Sequence, residues 1–170
     1  NVGQAIDYLR NNKNNLPEDF YEGYSFVTGK RKLSREELIS FARQWDYQSF
    51  HVDPNMAKKT NFKGLIASGW HTLLVAFTLI LDTKKISECS LGSPGLEDVK
   101  WLIPVRPNDT LSCKVIVVSA RLSKSGSYGI VKIFVEIFNQ SNEQEKNKIN
   151  IGTAGNMTRL STGYTFLNIQ

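Results

Sequence analysis

The stretch Ser68-Gly-Trp-His-Thr-Leu-Leu-Val-Ala-Phe-Thr-Leu-Ile-Leu81 decides the fold of this chain. It predicts a helix that begins near Ser68 or Gly69 and is apolar on nearly every side. Such a helix must be enclosed by other parts of the protein, because it offers water no polar face. Its apolar run from Leu73 to Leu81 is far shorter than the ~20 residues that cross a bilayer, so we expect no membrane association.

The second half of the chain contains the strands expected to enclose this helix. Between Val131 and Phe138, apolar residues alternate with Lys132 and Glu136, which is typical of an antiparallel strand with one buried face. Residues 111–122 and 149–158 have a similar pattern, and 96–103 is expected to form a further strand. The predicted fold class is therefore α+β, with one long helix wrapped by an antiparallel sheet.

The first half predicts a strand over 24–33 and then two shorter helices. Ser34-Arg-Glu-Glu37 has the form of a capping box, in which the serine caps the first turn and the glutamate bonds back to it. Apolar residues then follow at helical spacing and should face the core: Leu38, Phe41, Ala42 and Trp45. Asp53-Pro54 favours the start of the next helix, running towards residue 60. Residues 46–53 are therefore predicted to connect two helices.

The bulk composition fits one domain. A chain of 170 residues with 41% hydrophobic residues can bury a substantial core. We predict a polar N-terminal arm over 1–16, a single domain over 17–160 and a C-terminal tail over 161–170. Cys89 and Cys113 form neither a disulfide framework nor a metal-binding pattern, so we expect buried thiols in a reducing, cytoplasmic setting.

The charge balance gives no specific support for nucleic-acid binding; a phosphorylated small molecule suits it equally well, and a mildly basic, solvated surface explains any single lysine. The chain has 21 Lys and Arg residues against 16 Asp and Glu residues, but they form no basic stripe interleaved with aromatic residues. The sequence contains no phosphate-binding glycine loop and no nucleophile motif. The spacing of Asp46, His51 and His71 does not suit a metal site, so we predict neither a metal nor a cofactor.

Asp46 and His51 form the candidate acid–base pair. Residues five apart on a continuous helix would point about 140° away from each other, whereas a connection between helices lets both side chains face one cavity. Phe50 and Val52 flank the histidine and predict an apolar wall around the pair. A purely structural role, with His51 bonded to a backbone carbonyl and Asp46 ending a helix, explains the spacing about equally well.

Gly69 is the candidate hydrogen-bond donor. At a helix start its backbone N–H would be unobstructed and would have the helix dipole behind it. Close packing against the helix is the alternative reason for a glycine there. His71, two residues further on, is expected to be a packing or surface histidine.

These motifs resemble those of the MaoC-like acyl dehydratases, the family that includes the R-specific enoyl-CoA hydratases. The resemblance lies in Phe41-Ala-Arg-Gln-Trp-Asp46-Tyr-Gln-Ser-Phe-His51-Val-Asp53-Pro54, in the segment from Phe62 to Thr72, and in Trp101-Leu-Ile-Pro104-Val-Arg-Pro107-Asn-Asp-Thr110. It covers about residues 18–160. It implies a hot-dog fold with short extra helices in the overhang segment, paired into a homodimer or a dimer of dimers with acyl-CoA along the subunit interface.

The resemblance also implies roles for single residues. The family's aspartate and histidine bind the attacking water and match Asp46 and His51, and the family's helix glycine polarises the thioester carbonyl and matches Gly69. The implied activity is that of an acyl-CoA hydro-lyase. The predicted substrate contacts are Gln48, Ser68 and Phe77, with Lys58, Lys63 and Arg106 as candidates for the CoA phosphates.

Two departures from the R-hydratase motif leave other functions open. Gln48-Ser49 stands where Asn-Pro is common, and Phe77 stands where one branch has a serine. A non-catalytic hot-dog module that binds acyl-CoA is the main alternative. A hot-dog thioesterase is disfavoured, because its catalytic carboxylate usually lies elsewhere on the fold.

Overall fold

The computed structural model describes residues 20–87, 89–124, 128–141, 149–157, 164–165 and 167–168. The predicted arm at 1–16 lies outside these residues. In chain order the elements are β1 (Ser25–Val27), β2 (Arg31–Lys32), α1 (Arg35–Trp45), α2 (Ser49–Val52), α3 (Pro54–Lys58), α4 (Gly69–Asp82), β3 (Leu91–Gly92), β4 (Thr110–Leu122), β5 (Gly129–Phe138), β6 (Ile149–Met157), β7 (Tyr164–Thr165) and β8 (Leu167–Asn168). The last two strands lie within 161–170, and the domain boundaries stay predictions.

The main sheet is antiparallel and has the order β1-β4-β5-β6-β8, with β2 also paired to β4. On the strands β4 and β5, Val115 lies opposite Val135 and Val117 lies opposite Ile133. All four side chains are buried. The two-residue alternation of the sequence therefore gives the sheet one continuous apolar face, as predicted.

Helix α4 packs against this apolar face. Its buried apolar residues are Leu73, Val75, Ala76, Leu79 and Ile80. The long helix against an antiparallel sheet confirms the predicted α+β arrangement. Cys113 of β4 lies beneath the helix, where burial raises the pKa of its thiol to about 12 despite the hydrogen bond with Thr28. Such a thiol is an inert core side chain.

One face of α4 is not enclosed by this chain. Trp70, Leu74 and Phe77 follow each other at helical spacing and are 58%, 54% and 40% exposed. These three residues are called the α4 stripe below. The expectation of complete enclosure is wrong for the single chain, because the sheet covers one side of the helix and α1 another, which leaves this face open.

Helix α1 begins where the capping box predicts, but only half of the box forms. Glu37 donates its backbone N–H to the Ser34 hydroxyl at 3.1 Å. The Glu37 carboxylate does not return to Ser34 and instead pairs with Arg31 and His71. Leu38 and Ala42 of the predicted stripe are buried, whereas Trp45 is 67% exposed and does not belong to the core.

Two predicted strands differ from the structure. Residues 96–103 are irregular apart from a bridge at Glu97, because the left-handed backbone of Asp98, with φ 53°, interrupts an extended strand. The strand predicted over 24–33 is two short strands, β1 and β2. Between them the Thr28 side chain accepts the Cys113 N–H at 2.9 Å, in place of a backbone ladder bond.

Among the described residues, no helix is long and apolar enough to cross a membrane.

Candidate active site

Asp46 ends helix α1 and directs its carboxylate towards the start of α4. Its backbone N–H still donates to the Ala42 carbonyl, after which the chain leaves the helix. The carboxylate accepts two hydrogen bonds: Oδ1 from the Gln48 amide at 2.8 Å and Oδ2 from the Ser68 hydroxyl at 2.7 Å. The side chain is 15% exposed. Two donors from different segments therefore fix its orientation.

These contacts determine the charge of Asp46. Burial raises the pKa of its carboxyl, but the hydrogen bonds from Gln48 and Ser68, together with the nearby His51 ring, lower it more. The net pKa lies below the ordinary value. Asp46 is therefore ionised at neutral pH and can accept a proton from water.

His51 lies on the single helical turn α2, between Asp46 and helix α3. The sequence predicted a connection between two helices here. Within it a helical turn forms, because the N–H groups of His51 and Val52 both reach the Gln48 carbonyl. Helix α3 then begins at Asp53-Pro54 as predicted, and the Asp53 carboxylate caps it by accepting the N–H groups of Asn55 and Met56. Since Asp46 lies before the turn, the pair still does not share one helix.

The hydrogen bonds of the His51 ring assign its tautomer. Nδ1 lies 2.9 Å from the Ile66 carbonyl oxygen, which can only accept, so Nδ1 carries a proton. In the neutral form of the ring, Nε2 is then the nitrogen that presents a lone pair. Nε2 lies 3.3 Å from Asp46 Oδ2. His51 therefore makes both contacts at once. The hydrogen bond from Nδ1 to the backbone carbonyl holds the ring so that Nε2 lies beside Asp46.

Asp46 and His51 open onto one cavity of about 440 Å³. It lies between the Asp46 end of α1, the start of α4 and the segment before β4. Its lining residues are Asp46, Gln48, Phe50, His51, Phe62, Ile66, Ala67, Gly69, Trp70, Thr72, Trp101, Leu102, Ile103, Pro104 and Val105. An acid–base pair in a largely apolar cavity is the arrangement expected of a site for a small organic ligand.

Gly69 is the first residue of α4, where a backbone N–H has no intrahelical acceptor. Ser68 precedes it at the N-cap position, but its side chain makes no capping bond, because the hydroxyl donates to Asp46. The N–H groups of the first turn therefore have no side-chain cap from Ser68. The structure brings Gly69, Asp46 and His51 to the same cavity.

The three predicted substrate contacts Gln48, Ser68 and Phe77 lie in three different environments. Gln48 lines the cavity, and Ser68 is fully buried behind Asp46. Phe77 belongs to the exposed α4 stripe, two helical turns beyond Gly69, and is not among the lining residues. Its role as a substrate contact stays a prediction.

The three predicted phosphate contacts also lie outside the cavity lining. Lys58 and Lys63 are exposed side chains. The Arg106 guanidinium donates to the carbonyls of Phe62, at 2.6 Å, and Leu65, at 3.4 Å, so it clamps the segment that leads into α4. Binding of CoA phosphates by these residues stays a prediction.

Sequence reasoning missed Ile66 and Trp101. Ile66 contributes only its carbonyl to the site, and no side-chain pattern indicates such a contact. The Trp101 indole lies directly against Gly69. Trp101 belongs to a segment that resembles the family's motif, but no local pattern predicts its contact with the start of α4.

The described residues contain no group of three or more His, Cys, Asp and Glu side chains that could hold a metal ion.

The chain matches a known protein family. The model of the MaoC like domain matches residues 22–136, which include Asp46, His51, Gly69 and Trp101. The uncharacterized protein YdeM of Bacillus subtilis (strain 168) is 29% identical over 123 residues, or 72% of this chain and 86% of YdeM.

Solved structures with the same fold include the MaoC-like dehydratase from Rhodospirillum rubrum. Its TM-score is 0.75 at 28% identity, covering 85% of this chain and 97% of that one. The (R)-hydratase from A. caviae involved in PHA biosynthesis shares the fold with a TM-score of 0.60 at 21% identity, covering 81% and 96%. These matches confirm the predicted hot-dog fold, and the chain belongs to the MaoC-like domain family.

Proposed function

We propose that this protein is an acyl-CoA hydro-lyase, which adds water to a 2-enoyl thioester or removes it from a 3-hydroxyacyl thioester. One observation carries the proposal: the ionised Asp46 carboxylate and His51 Nε2 lie 3.3 Å apart in the cavity that Gly69 also lines. The family, and the MaoC-like dehydratase from Rhodospirillum rubrum at 28% identity, support this class of reaction.

The pair is arranged to activate one water molecule. Asp46 Oδ2 and His51 Nε2 both present lone pairs to the same small volume, so a water there donates a hydrogen bond to each. As the water oxygen forms a bond to C3 of the enoyl group, one water proton passes to the pair. The pair then delivers a proton to C2, so water is added as OH and H and both side chains return to their starting states.

The Gly69 N–H stabilises the negative charge that develops in this step. As the C–O bond forms at C3, the C2=C3 π electrons shift towards the thioester oxygen, which gains negative charge until C2 is protonated. A helix N-terminal N–H is suited to that oxygen, and donors aimed at developing charge commonly supply a factor of about 100 or more in rate. We propose that these groups act without a metal or a separate cofactor.

Substitution of the carboxylate tests this function. Asp46→Asn keeps the shape of the side chain but removes its basicity, so we expect kcat for hydration of crotonyl-CoA to fall about 100-fold or more. Loss of the enoyl absorbance measures the rate. Asp82→Asn, the same change at the exposed end of α4, is the matched control and should leave kcat unchanged.

The contrary outcomes are distinct. A folded Asp46→Asn protein with full turnover contradicts the assigned role. Tight binding of acyl-CoA by the unsubstituted protein, without hydration at any chain length, favours the non-catalytic module. Release of free CoA favours a thioesterase.

We also propose that the protein acts as a homodimer formed through the α4 stripe. Exposed apolar residues on one helix face favour burial by a partner, and Trp70 belongs both to this stripe and to the cavity lining. A second copy seated on the stripe would therefore border the site, as expected for acyl-CoA bound along a subunit interface.

A charge placed on the stripe tests the dimer. Leu74→Lys should convert a dimer into monomers in analytical ultracentrifugation. Leu122→Lys is the matched control, because Leu122 is also 54% exposed but lies at the end of β4. A protein that is monomeric at micromolar concentration before any substitution contradicts the proposal.

A further inference from the structure

The segment between β3 and β4 places an aromatic ring on the start of helix α4. A Cβ atom at position 69 would lie 2.4 Å from both Nε1 and Cε2 of Trp101 and 2.9 Å from its Cζ2. Such distances are far inside van der Waals contact, so any other residue at position 69 would have to displace the indole. Besides supplying its N–H, a glycine at position 69 therefore allows the indole to lie directly against the helix.

The indole nitrogen brings a donor to this contact. Trp101 Nε1–H can only donate a hydrogen bond, and within the described part of the chain it has no acceptor. The Gly69 N–H is also without an intrahelical acceptor, because it belongs to the first turn of α4. Both residues line the cavity that contains Asp46 and His51. Two donors without an acceptor in the described part of the chain therefore belong to residues of the cavity that the candidate acid–base pair also lines.

The distances allow both donors to reach one oxygen atom. Nε1 lies 2.4 Å from the position of a Gly69 Cβ, and covalent geometry puts the Gly69 nitrogen about 2.5 Å from that same position. The two nitrogens are therefore at most about 5 Å apart by these distances. Two donors that each lie about 2.9 Å from a shared acceptor can be separated by up to about 5.8 Å, so this spacing permits both to donate to a single carbonyl oxygen.

A neighbouring ring supports the position of the indole. Trp70 and Trp101 meet edge to face, with ring centroids 6.3 Å apart and an interplanar angle of 71°. Aromatic pairs favour this geometry. Trp101 is 49% exposed, so a ligand that enters the cavity can cover the rest of the ring.

We propose that Trp101 is a catalytic residue, whose indole N–H donates a hydrogen bond to the thioester oxygen beside the Gly69 N–H. This inference rests on the proposed function, because the oxygen in question is that of the acyl thioester. The bond strengthens as negative charge develops on the oxygen during attack of water at C3. Its contribution therefore falls mainly on kcat and less on KM.

Removal of the single N–H group tests this role. Trp101→Phe keeps an aromatic ring against Gly69 but has no donor, so we expect kcat for crotonyl-CoA to fall about tenfold or more, with KM little changed. Trp45→Phe is the matched control, since Trp45 is exposed and does not line the cavity. 3-Benzothienylalanine at position 101 replaces the N–H by sulfur on nearly the same two-ring outline, and should reproduce the loss if Trp101→Phe does not fold.

An infrared measurement reads the hydrogen bond without turnover. With butanoyl-CoA labelled with ¹³C at the carbonyl, a saturated ligand that cannot be hydrated, the bound C=O stretch should lie at lower frequency in the unsubstituted protein than in Trp101→Phe. Equal frequencies and equal kcat overturn the donor role of Trp101.

The outcomes separate this inference from the proposed function. If crotonyl-CoA is hydrated equally by the unsubstituted protein and by Trp101→Phe, the hydratase stands and the second donor fails. If nothing is hydrated but the carbonyl band still shifts with Trp101, the donor stands in a binding module. If no acyl-CoA binds, both are wrong.

Discussion

His51 and His71 are the two histidines of the chain, and each is buried with its Nε2 beside a carboxylate oxygen. Both residues are 5% exposed. Nε2 lies 3.3 Å from Asp46 in the first pair and 3.5 Å from Glu37 in the second. By distance and burial alone, the two pairs are equivalent candidates for acid–base chemistry.

Their surroundings separate them. His51 donates Nδ1–H to the Ile66 carbonyl and borders the cavity of about 440 Å³. The His71 ring is stacked on Phe41 between α1 and α4, with ring centroids 4.5 Å apart and planes at 8°. Its Nδ1 is buried and has no hydrogen-bond partner among the described residues. A histidine–carboxylate pair becomes a candidate site when a ligand can reach it and the rest of the ring is satisfied, which holds for His51 and not for His71.

The largest test of this contrast substitutes each histidine in the same way. His51→Gln should lower kcat for crotonyl-CoA by about 100-fold or more, because the lone pair at Nε2 is lost from the cavity. His71→Gln should change kcat by less than about tenfold, since its ring contacts no ligand space. Steady-state kinetics on both variants, with circular dichroism to verify folding, measures the difference. Equal losses would show that the cavity does not distinguish the two pairs.

A second test removes one of the two donors that hold Asp46. Ser68→Ala deletes the 2.7 Å hydrogen bond to the carboxylate. Because that bond lowers the pKa of Asp46, its loss should raise the pKa and move the acidic limb of the pH–rate profile to higher pH. The optimum kcat should fall about tenfold or less.

The matched control for this change is Ser119→Ala, which removes a hydroxyl from an exposed position on β4. Its pH–rate profile should coincide with that of the unsubstituted protein. An acidic limb that does not move in Ser68→Ala would mean that the Ser68 hydroxyl does not influence the titration of Asp46.

Side-chain periodicity predicts the fold of this chain better than it predicts the surroundings of the site. The alternation from Val131 to Ile137 predicted a strand with one buried face, and the apolar run after Gly69 predicted the core helix. Both predictions are confirmed, since local spacing determines which residues share a face. Spacing does not reveal whether a face has a partner, so Trp45 and Leu74 were expected to be buried and are exposed.

The candidate site was predictable where it depends on side chains that begin or end helices. Asp46 and His51 face one cavity because α1 ends at Asp46 and His51 lies on the separate turn α2. The Ile66 carbonyl that orients His51 was not predictable, because every residue has a carbonyl and only the folded backbone selects one. Trp101 was missed for a related reason: its contact with Gly69 joins segments 32 positions apart in sequence, and no local pattern links them.

A third test concerns stability at the second histidine. Burial lowers the pKa of His71, a shift only partly offset by Glu37 and reinforced by Arg31. Below the ordinary histidine pKa of about 6.5, the unfolded chain therefore binds a proton at His71 more readily than the folded protein. This residue should make the protein less stable as the pH falls from about 7 towards 5.

Replacement of the ring isolates that contribution. His71→Phe preserves stacking on Phe41 and cannot be protonated, so urea denaturation should show a smaller loss of unfolding free energy between neutral and acidic pH than in the unsubstituted protein. An unchanged pH dependence would show that protonation of His71 does not contribute to the loss of stability at acidic pH.

The smallest expected effect comes from removing the charge of Glu37. This substitution tests whether Glu37 influences the pKa of His71 without influencing His51. Because the Glu37 charge and hydrogen bond raise the pKa of His71 against burial, Glu37→Gln should lower that pKa further. Arg31 then lies near the ring without its carboxylate and adds to the shift.

Titration of the two histidine Cε1–H resonances by NMR measures this change in pKa directly. The chemical shifts of His51 serve as the internal reference, since no contact joins Glu37 to the Asp46 pair among the described residues. A lower titration midpoint for His71, without a change in kcat for crotonyl-CoA, would show that the two pairs are electrostatically independent; a shift of the His51 resonances would show that helix α1 couples them.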